Sequence, residues 1–168
     1  MKKVFFLYLI MICITCSLAS AQVISGTYAI KNDQTGMLLR IKDANSKNGT
    51  PLVLYNPENW KCMTWDFKNI SGNTYQLQNL FTHKSFQTMA NPGTDVAMEQ
   101  QPFKNGDAAQ LYEFEAIGKG SFLIRLKGSD LYLTPSDKEG NVNSVIILSK
   151  RTKDKLQLWS IYQQTPTM

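Results

Sequence analysis

The side chains that most often carry out chemistry are scarce in this chain. Imidazole is supplied once, by His83, and thiols three times, by Cys13, Cys16 and Cys62. A Ser-His-Asp or Cys-His arrangement must therefore use His83, whose neighbours Thr82, Lys84 and Ser85 mark an exposed hairpin turn. The usual zinc sets of histidine and cysteine cannot be built from one imidazole and one thiol outside the N-terminal segment. No acidic loop of the EF-hand pattern offers calcium a seat, and no glycine-rich phosphate loop is present. The sequence is read as non-enzymatic, with no cofactor and no metal. What remains is recognition by aromatic, amide and charged groups held on a rigid frame.

That frame is small. With 168 residues and 43% hydrophobic content, the chain can close one core and is too short for two ordinary domains. Residues 1–21 read as a secretory signal: Lys2 and Lys3, the apolar run Val4 to Ile14, then the small-residue site Ala19-Ser20-Ala21. The run is shorter than the ~20 residues a spanning helix needs, so no membrane span is expected. Lipid attachment at Cys16 is the weaker alternative, because Cys13 and Thr15 stand where a lipoprotein signal prefers an aliphatic and a small residue. The expected product is a secreted or periplasmic domain over residues 22–168. Losing Lys2 and Lys3 lowers the net charge from +5 to +3, too mild to indicate nucleic acid. Cys62 is then the one thiol left, so the fold must rest on packing, with Cys62 read as a partly buried structural residue.

The packing is written three times. Tyr28-Ala29-Ile30, Tyr75-Gln76-Leu77 and Phe122-Leu123-Ile124 are spaced by 47 residues, as are Trp65, Tyr112 and Trp159, and Leu39, Phe86 and Leu133. The copies fall at about 26–71, 72–117 and 118–163. Apolar residues alternate over short runs bounded by Gly, Asn, Asp, Pro and Ser, which predicts strands. In the first copy the runs are Thr27 to Lys31, Leu38 to Lys42, Leu52 to Tyr55 and Thr64 to Lys68. In the middle copy Gly93-Thr94 is matched to Gly49-Thr50, three residues early. Three four-stranded copies are too few for a propeller. The expected fold class is all-β: a β-trefoil of three ~47-residue repeats, twelve short strands and pseudo-threefold symmetry. Its shared core is predicted to hold Tyr28, Ile30, Leu39, Leu54, Trp65, Phe67 and their counterparts.

The segment Gln157-Leu158-Trp159 resembles the Q-x-W signature of ricin B-type lectin repeats. Gln110-Leu111-Tyr112 and Met63-Thr64-Trp65 are degenerate versions at the same phase, and Gly36 to Ile41 followed by Gly49 to Tyr55 also resembles that family's repeat. The resemblance implies sugar binding at up to three shallow pockets, one per lobe. In each, a carboxylate after the second strand grips hydroxyls, an aromatic after the third stacks on the sugar, and an Asn precedes the Q-x-W. Here the carboxylate position falls on Arg40, Gln87 and Thr134, the aromatic position on Tyr55, Glu99 and Ser149, and the Asn position on Cys62, Ala109 and Leu156. Every lobe departs from the galactose-type pattern.

The first lobe is therefore the expected carbohydrate-binding site, with Tyr55 stacking, Arg40, Asp43 and Asn56 within reach, and Trp60 exposed on the following loop. Phe103 and Asn105 mark a displaced alternative in the second lobe. Asp137, Asn141 and Asn143 read as turn formers. Lys150 to Lys155 reads as a solvated basic hairpin, with a patch for sulfated glycans as the alternative. The implied partners are glycans or polysaccharides. A protein-interaction module or a trefoil protease inhibitor without glycan binding are the rival readings.

Overall fold

Alternation of apolar and polar residues produces short strands, and the turn residues between them decide how those strands return. The computed structural model describes residues 23–118 and 120–167. The expected signal segment, with Cys13 and Cys16, lies outside the described residues. The first lobe contains β1 (Gly26–Asn32), β2 (Leu38–Ile41), β3 (Leu52–Tyr55) and β4 (Thr64–Ser71). The second contains β5 (Thr74–Asn79), β6 (Ser85–Thr88), β7 (Met98–Gln101) and β8 (Leu111–Gly118). The third contains β9 (Ser121–Leu126), β10 (Leu131–Pro135), β11 (Ile146–Lys150) and β12 (Trp159–Gln163). The remaining regular elements among the described residues are single 3-10 turns, so the protein is all-β.

Six strands close a barrel. β1 pairs with β4 and β12, β4 with β5, β5 with β8, β8 with β9, and β9 with β12, all antiparallel. Closure leaves no unpaired sheet edge in the ring. The other strands form three hairpins, β2–β3, β6–β7 and β10–β11, which cover one end of the barrel. This is the β-trefoil expected from the repeat.

The recurring aromatics hold barrel and hairpins together. Trp65, Tyr112 and Trp159 are buried, and each donates a hydrogen bond from its ring to the second strand of its own lobe. Trp65 Nε1 reaches the Leu39 carbonyl at 3.2 Å, Tyr112 Oη that of Phe86 at 2.9 Å, and Trp159 Nε1 that of Leu133 at 3.1 Å. A buried aromatic with a polar edge fills volume and satisfies a backbone group at once. At the opposite end, Phe67, Tyr75 and Phe114 pack edge to face with centroids 5.2–5.8 Å apart.

The three hairpins meet at the pseudo-threefold axis through six backbone hydrogen bonds. Leu54 N–H donates to the Ser144 carbonyl, Gln100 N–H to Thr50 and Leu148 N–H to Val96, at 2.8–3.0 Å. One residue earlier in each loop, Gly49 N–H donates to Gln100, Asp95 to Leu148 and Asn143 to Leu54, again at 2.8–3.0 Å. Gly49, Asp95 and Asn143 all have positive φ, at 81°, 66° and 67°, a conformation these residue types tolerate best.

This ring corrects the alignment of the middle lobe. Asp95-Val96, not Gly93-Thr94, occupies the place of Gly49-Thr50. Strand register agrees, because Leu38 faces Tyr55, Ser85 faces Gln101 and Tyr132 faces Ser149. The counterpart of Tyr55 in the second lobe is thus Gln101 rather than Glu99, and the middle hairpin is shorter by one residue, not three.

Candidate functional site

In the second and third lobes, the glutamine of the Q-x-W segment is structural. Gln157 Nε2 donates to Thr134 Oγ1 at 3.0 Å and to the Lys150 carbonyl, and its Oε1 accepts from Thr152 N–H at 2.7 Å. Gln110 Nε2 donates likewise to Gln87 Oε1 at 2.9 Å and to the Pro102 carbonyl. Each buried amide ties the loop after the third strand to a side chain one residue before the end of the second. Thr134 and Gln87, which occupy the expected sugar-gripping position, are thereby engaged internally.

The first lobe breaks this arrangement at three equivalent places. Met63 replaces the glutamine and has no amide to offer. Arg40 replaces Gln87 and Thr134, and its Nε is buried without a hydrogen-bond partner. Trp60 stands where the other lobes have Asp107 and Asp154. Those carboxylates cap their 3-10 turns, accepting from Ala109 N–H at 3.1 Å and Leu156 N–H at 3.0 Å, whereas the turn at Lys61–Met63 has no side-chain cap. Such a cap contributes about 1 kcal/mol.

Two of the departures, Arg40 and Trp60, line one cleft, and Met63 lies in the buried cluster against which Trp60 packs. The Arg40 guanidinium lies 4.1 Å from the Tyr55 ring centroid and 5.6 Å from that of Trp60, and the two rings are 6.2 Å apart. Arg40 is only 8% exposed. Beside it, Arg40, Ala44, Trp60, Lys61, Cys62 and Phe81 line an open, mostly apolar cleft of about 340 Å³. Phe81 comes from the second lobe's β5–β6 turn and is 45% exposed.

Of the residues singled out from sequence, the structure brings Arg40, Tyr55 and Trp60 together. Tyr55 is half-buried beneath Arg40, and Trp60 is half-buried rather than exposed. Asp43, in the turn after β2, and Asn56, just after β3, are exposed; neither makes a side-chain hydrogen bond or ion pair among the described residues. Asp43 and the following Ala44 have φ of 53° and 50°, a strained pair of which Ala44 lines the cleft. Cys62 is buried against Ala29, Leu38 and Met63, in keeping with its structural reading.

Two positioning contributions were not visible in the sequence. Phe81 belongs to another repeat, and no periodicity joins it to Arg40. Gln164 Oε1 accepts from Thr64 Oγ1 at 2.9 Å while its Nε2 donates to the Glu58 carbonyl at 2.8 Å, and Asn59 Nδ2 donates to the Thr165 carbonyl at 3.0 Å. The C-terminal segment thus clamps the loop that carries Trp60.

Other candidates resolve differently. His83 is exposed with φ 56°, in the turn position that Gly36 fills in the first lobe. Phe103 lies 5.9 Å from Lys68 Nζ, on a loop held by buried Gln76, which donates to the Lys104 carbonyl and accepts from Gly106 N–H. Asp137 Oδ1 accepts from Asn141 N–H at 3.0 Å, as a turn former should.

A sequence profile described as "Ricin-type beta-trefoil lectin domain-like" matches residues 61–149, more than half of the chain. The chain belongs to this ricin-type β-trefoil lectin-like family. No curated protein sequence matches it. Among solved structures it resembles the agglutinin of Rhizoctonia solani, with a TM-score of 0.76 and 22% identity over 87% of this chain and 100% of that one. It also resembles the Macrolepiota procera ricin B-like lectin in complex with lactose, at 0.70 and 17% identity over 85% and 99%. The designed threefold-symmetric protein ThreeFoil scores 0.77 at 14% identity over 82% and 98%. At these identities the likeness establishes the fold. The ricin-type lectin-like family also suggests a carbohydrate-binding module. No helix among the described residues is long and apolar enough to cross a membrane.

Proposed function

We propose that this ricin-type trefoil is an exported, non-catalytic carbohydrate-binding module that works through its first lobe. The supporting observation is that Arg40, Trp60 and Met63 each forgo a contact kept in the other lobes, that Arg40 and Trp60 line one cleft, and that Met63 lies in the buried cluster against which Trp60 and Tyr55 pack. Positions where local structural logic is given up together are where function is to be sought. A pyranose presents apolar C–H faces and hydroxyls, and the cleft offers apolar Trp60, Phe81 and Ala44 beside charged Arg40 and Lys61. Asp43 and Asn56, exposed neighbours in sequence of Ala44 and Tyr55, are the remaining polar candidates. The second and third lobes are degenerate sites, since Gln87 and Thr134 are engaged by Gln110 and Gln157. Export is supported by the charged, apolar and small-residue order of residues 1–21.

A glycan array probed with the labelled protein tests this. Binding to a defined glycan subset is expected, together with its loss in Trp60→Ala. Binding to no glycan, sulfated ones included, would shift the assignment to a protein-interaction trefoil.

A further inference from the structure

We infer that the first-lobe cleft selects an acidic saccharide, whose anionic group sits on the Arg40 guanidinium while its ring lies against the apolar wall. This deepens the carbohydrate reading and rests on the same cleft.

The case begins with a charge that is out of place. Arg40 is more than nine-tenths buried, yet it makes no ion pair among the described residues, and its Nε has no hydrogen-bond partner. Buried charges are costly unless paired, and a guanidinium cannot shed its charge as a lysine can. Tyr55 and Trp60 offset part of that cost through their ring faces. Their ring faces leave its N–H donors unengaged; Nε is buried, and the two terminal nitrogens of the planar fork, which make no hydrogen bond among the described residues, are the donors left for a ligand. Met63 removes the amide that occupies the equivalent side chain in the other lobes.

Such a fork matches a carboxylate or a sulfate ester, each of which presents coplanar oxygens to two donors. A neutral hydroxyl accepts from it only singly. Lys61 adds a second cation on the same cleft, and no acidic residue lines it. The other members of the lining, Ala44, Trp60, Cys62 and Phe81, are apolar and suited to a sugar face. A second cleft with cations, of about 490 Å³, lies mainly on the third lobe, where Arg151, Lys153 and Asp154 join the apolar Leu123, Leu158 and, from the second lobe, Ile117. Its cations are exposed, so it lacks the desolvated, unpaired charge that marks the first lobe.

Calorimetric titration of the full protein with three probes decides the matter: tetragalacturonate, its fully methyl-esterified form, and a κ-carrageenan tetrasaccharide. The ester keeps the sugar skeleton and masks only the charge. At least one acidic probe should bind about tenfold or more tightly than the ester. Arg40→Met should remove that preference, Arg40→Lys should restore part of it, and the double variant Arg151→Ala, Lys153→Ala should leave it intact. Preference for uronate or for sulfate identifies the source of the anion. Equal affinity for all three probes would overturn the acidic assignment while leaving carbohydrate binding in place. Binding of none, with an empty glycan array, would overturn both. Loss of the preference in the third-lobe double variant but not in Arg40→Met would show that the site is misplaced. If Arg40→Met fails to fold, as judged by near-ultraviolet circular dichroism, the ester comparison and Arg40→Lys still decide.

Discussion

Residue-scale behaviour in this protein turns on which polar atoms have partners. Trp60 and Tyr55 both flank Arg40, but they should respond differently to truncation. Trp60 lines the open cleft, so Trp60→Ala should weaken glycan affinity by about tenfold or more, the scale of a lost stacking platform, with little change in melting temperature. Tyr55 is reached through Arg40, so Tyr55→Ala should act by loosening the guanidinium, costing about 1 kcal/mol of stability as well as affinity. Paired titrations and thermal melts separate the two. Tyr112 gives a pH test of the core. Burial pushes its phenol well above the ordinary tyrosine range, so the unfolded chain ionises first. Its contribution to stability is therefore complete below about pH 10 and falls as pH rises towards the folded value. Tyr112→Phe should lose about 1 kcal/mol at neutral pH with its bond to Phe86 and show a shallower alkaline decline in urea melts. At this scale the sequence displayed Arg40, Tyr55 and Trp60 as departures from a family pattern. It did not display their mutual contact, because they lie on two strands and a loop whose approach depends on the whole hairpin.

Elements meet here through loops whose backbone conformation matters more than their side-chain types. The ring of bonds at the threefold axis needs left-handed residues at Gly49, Asp95 and Asn143, three different letters in one structural place. A Gly-Thr match in the sequence points instead to Gly93-Thr94, two residues out of register with the structure. The strands were legible because period-2 alternation reports burial directly; the loop equivalence was not, because φ leaves only a loose trace in residue type. Gly140 tests the element scale. It has φ 64°, and an added Cβ would stand 2.5 Å from Thr35 Cγ2 and 2.9 Å from Leu156 Cδ2. Gly140→Ala should cost about 2–4 kcal/mol in denaturant unfolding, combining backbone strain with overpacking between the third and first lobes. Gly128→Ala, with φ 75° and open space around it, should cost about 1 kcal/mol.

The whole molecule is a symmetric frame with one asymmetric site. Recurrence of Trp65, Tyr112 and Trp159 at a fixed spacing was sufficient to foresee the trefoil, because no single copy can bury its apolar face alone. The symmetry also provides an internal reference: the second and third lobes show the contacts made at each equivalent position where the amide tie and the turn cap are kept. Set against that reference, the first lobe gives up a turn cap and an amide tie and gains a cation packed against two rings at the edge of a cleft. One glycan per chain is the expected stoichiometry. The chain's three tryptophans allow the central claim to be tested directly, since Trp60 lines the cleft while Trp65 and Trp159 are buried in the core. Heteronuclear NMR of the three indole N–H signals, recorded while a glycan selected on the array is added, should show Trp60 shifting and the other two nearly still. A stationary Trp60 signal, with amides of the second or third lobe moving in its place, would contradict the first-lobe assignment.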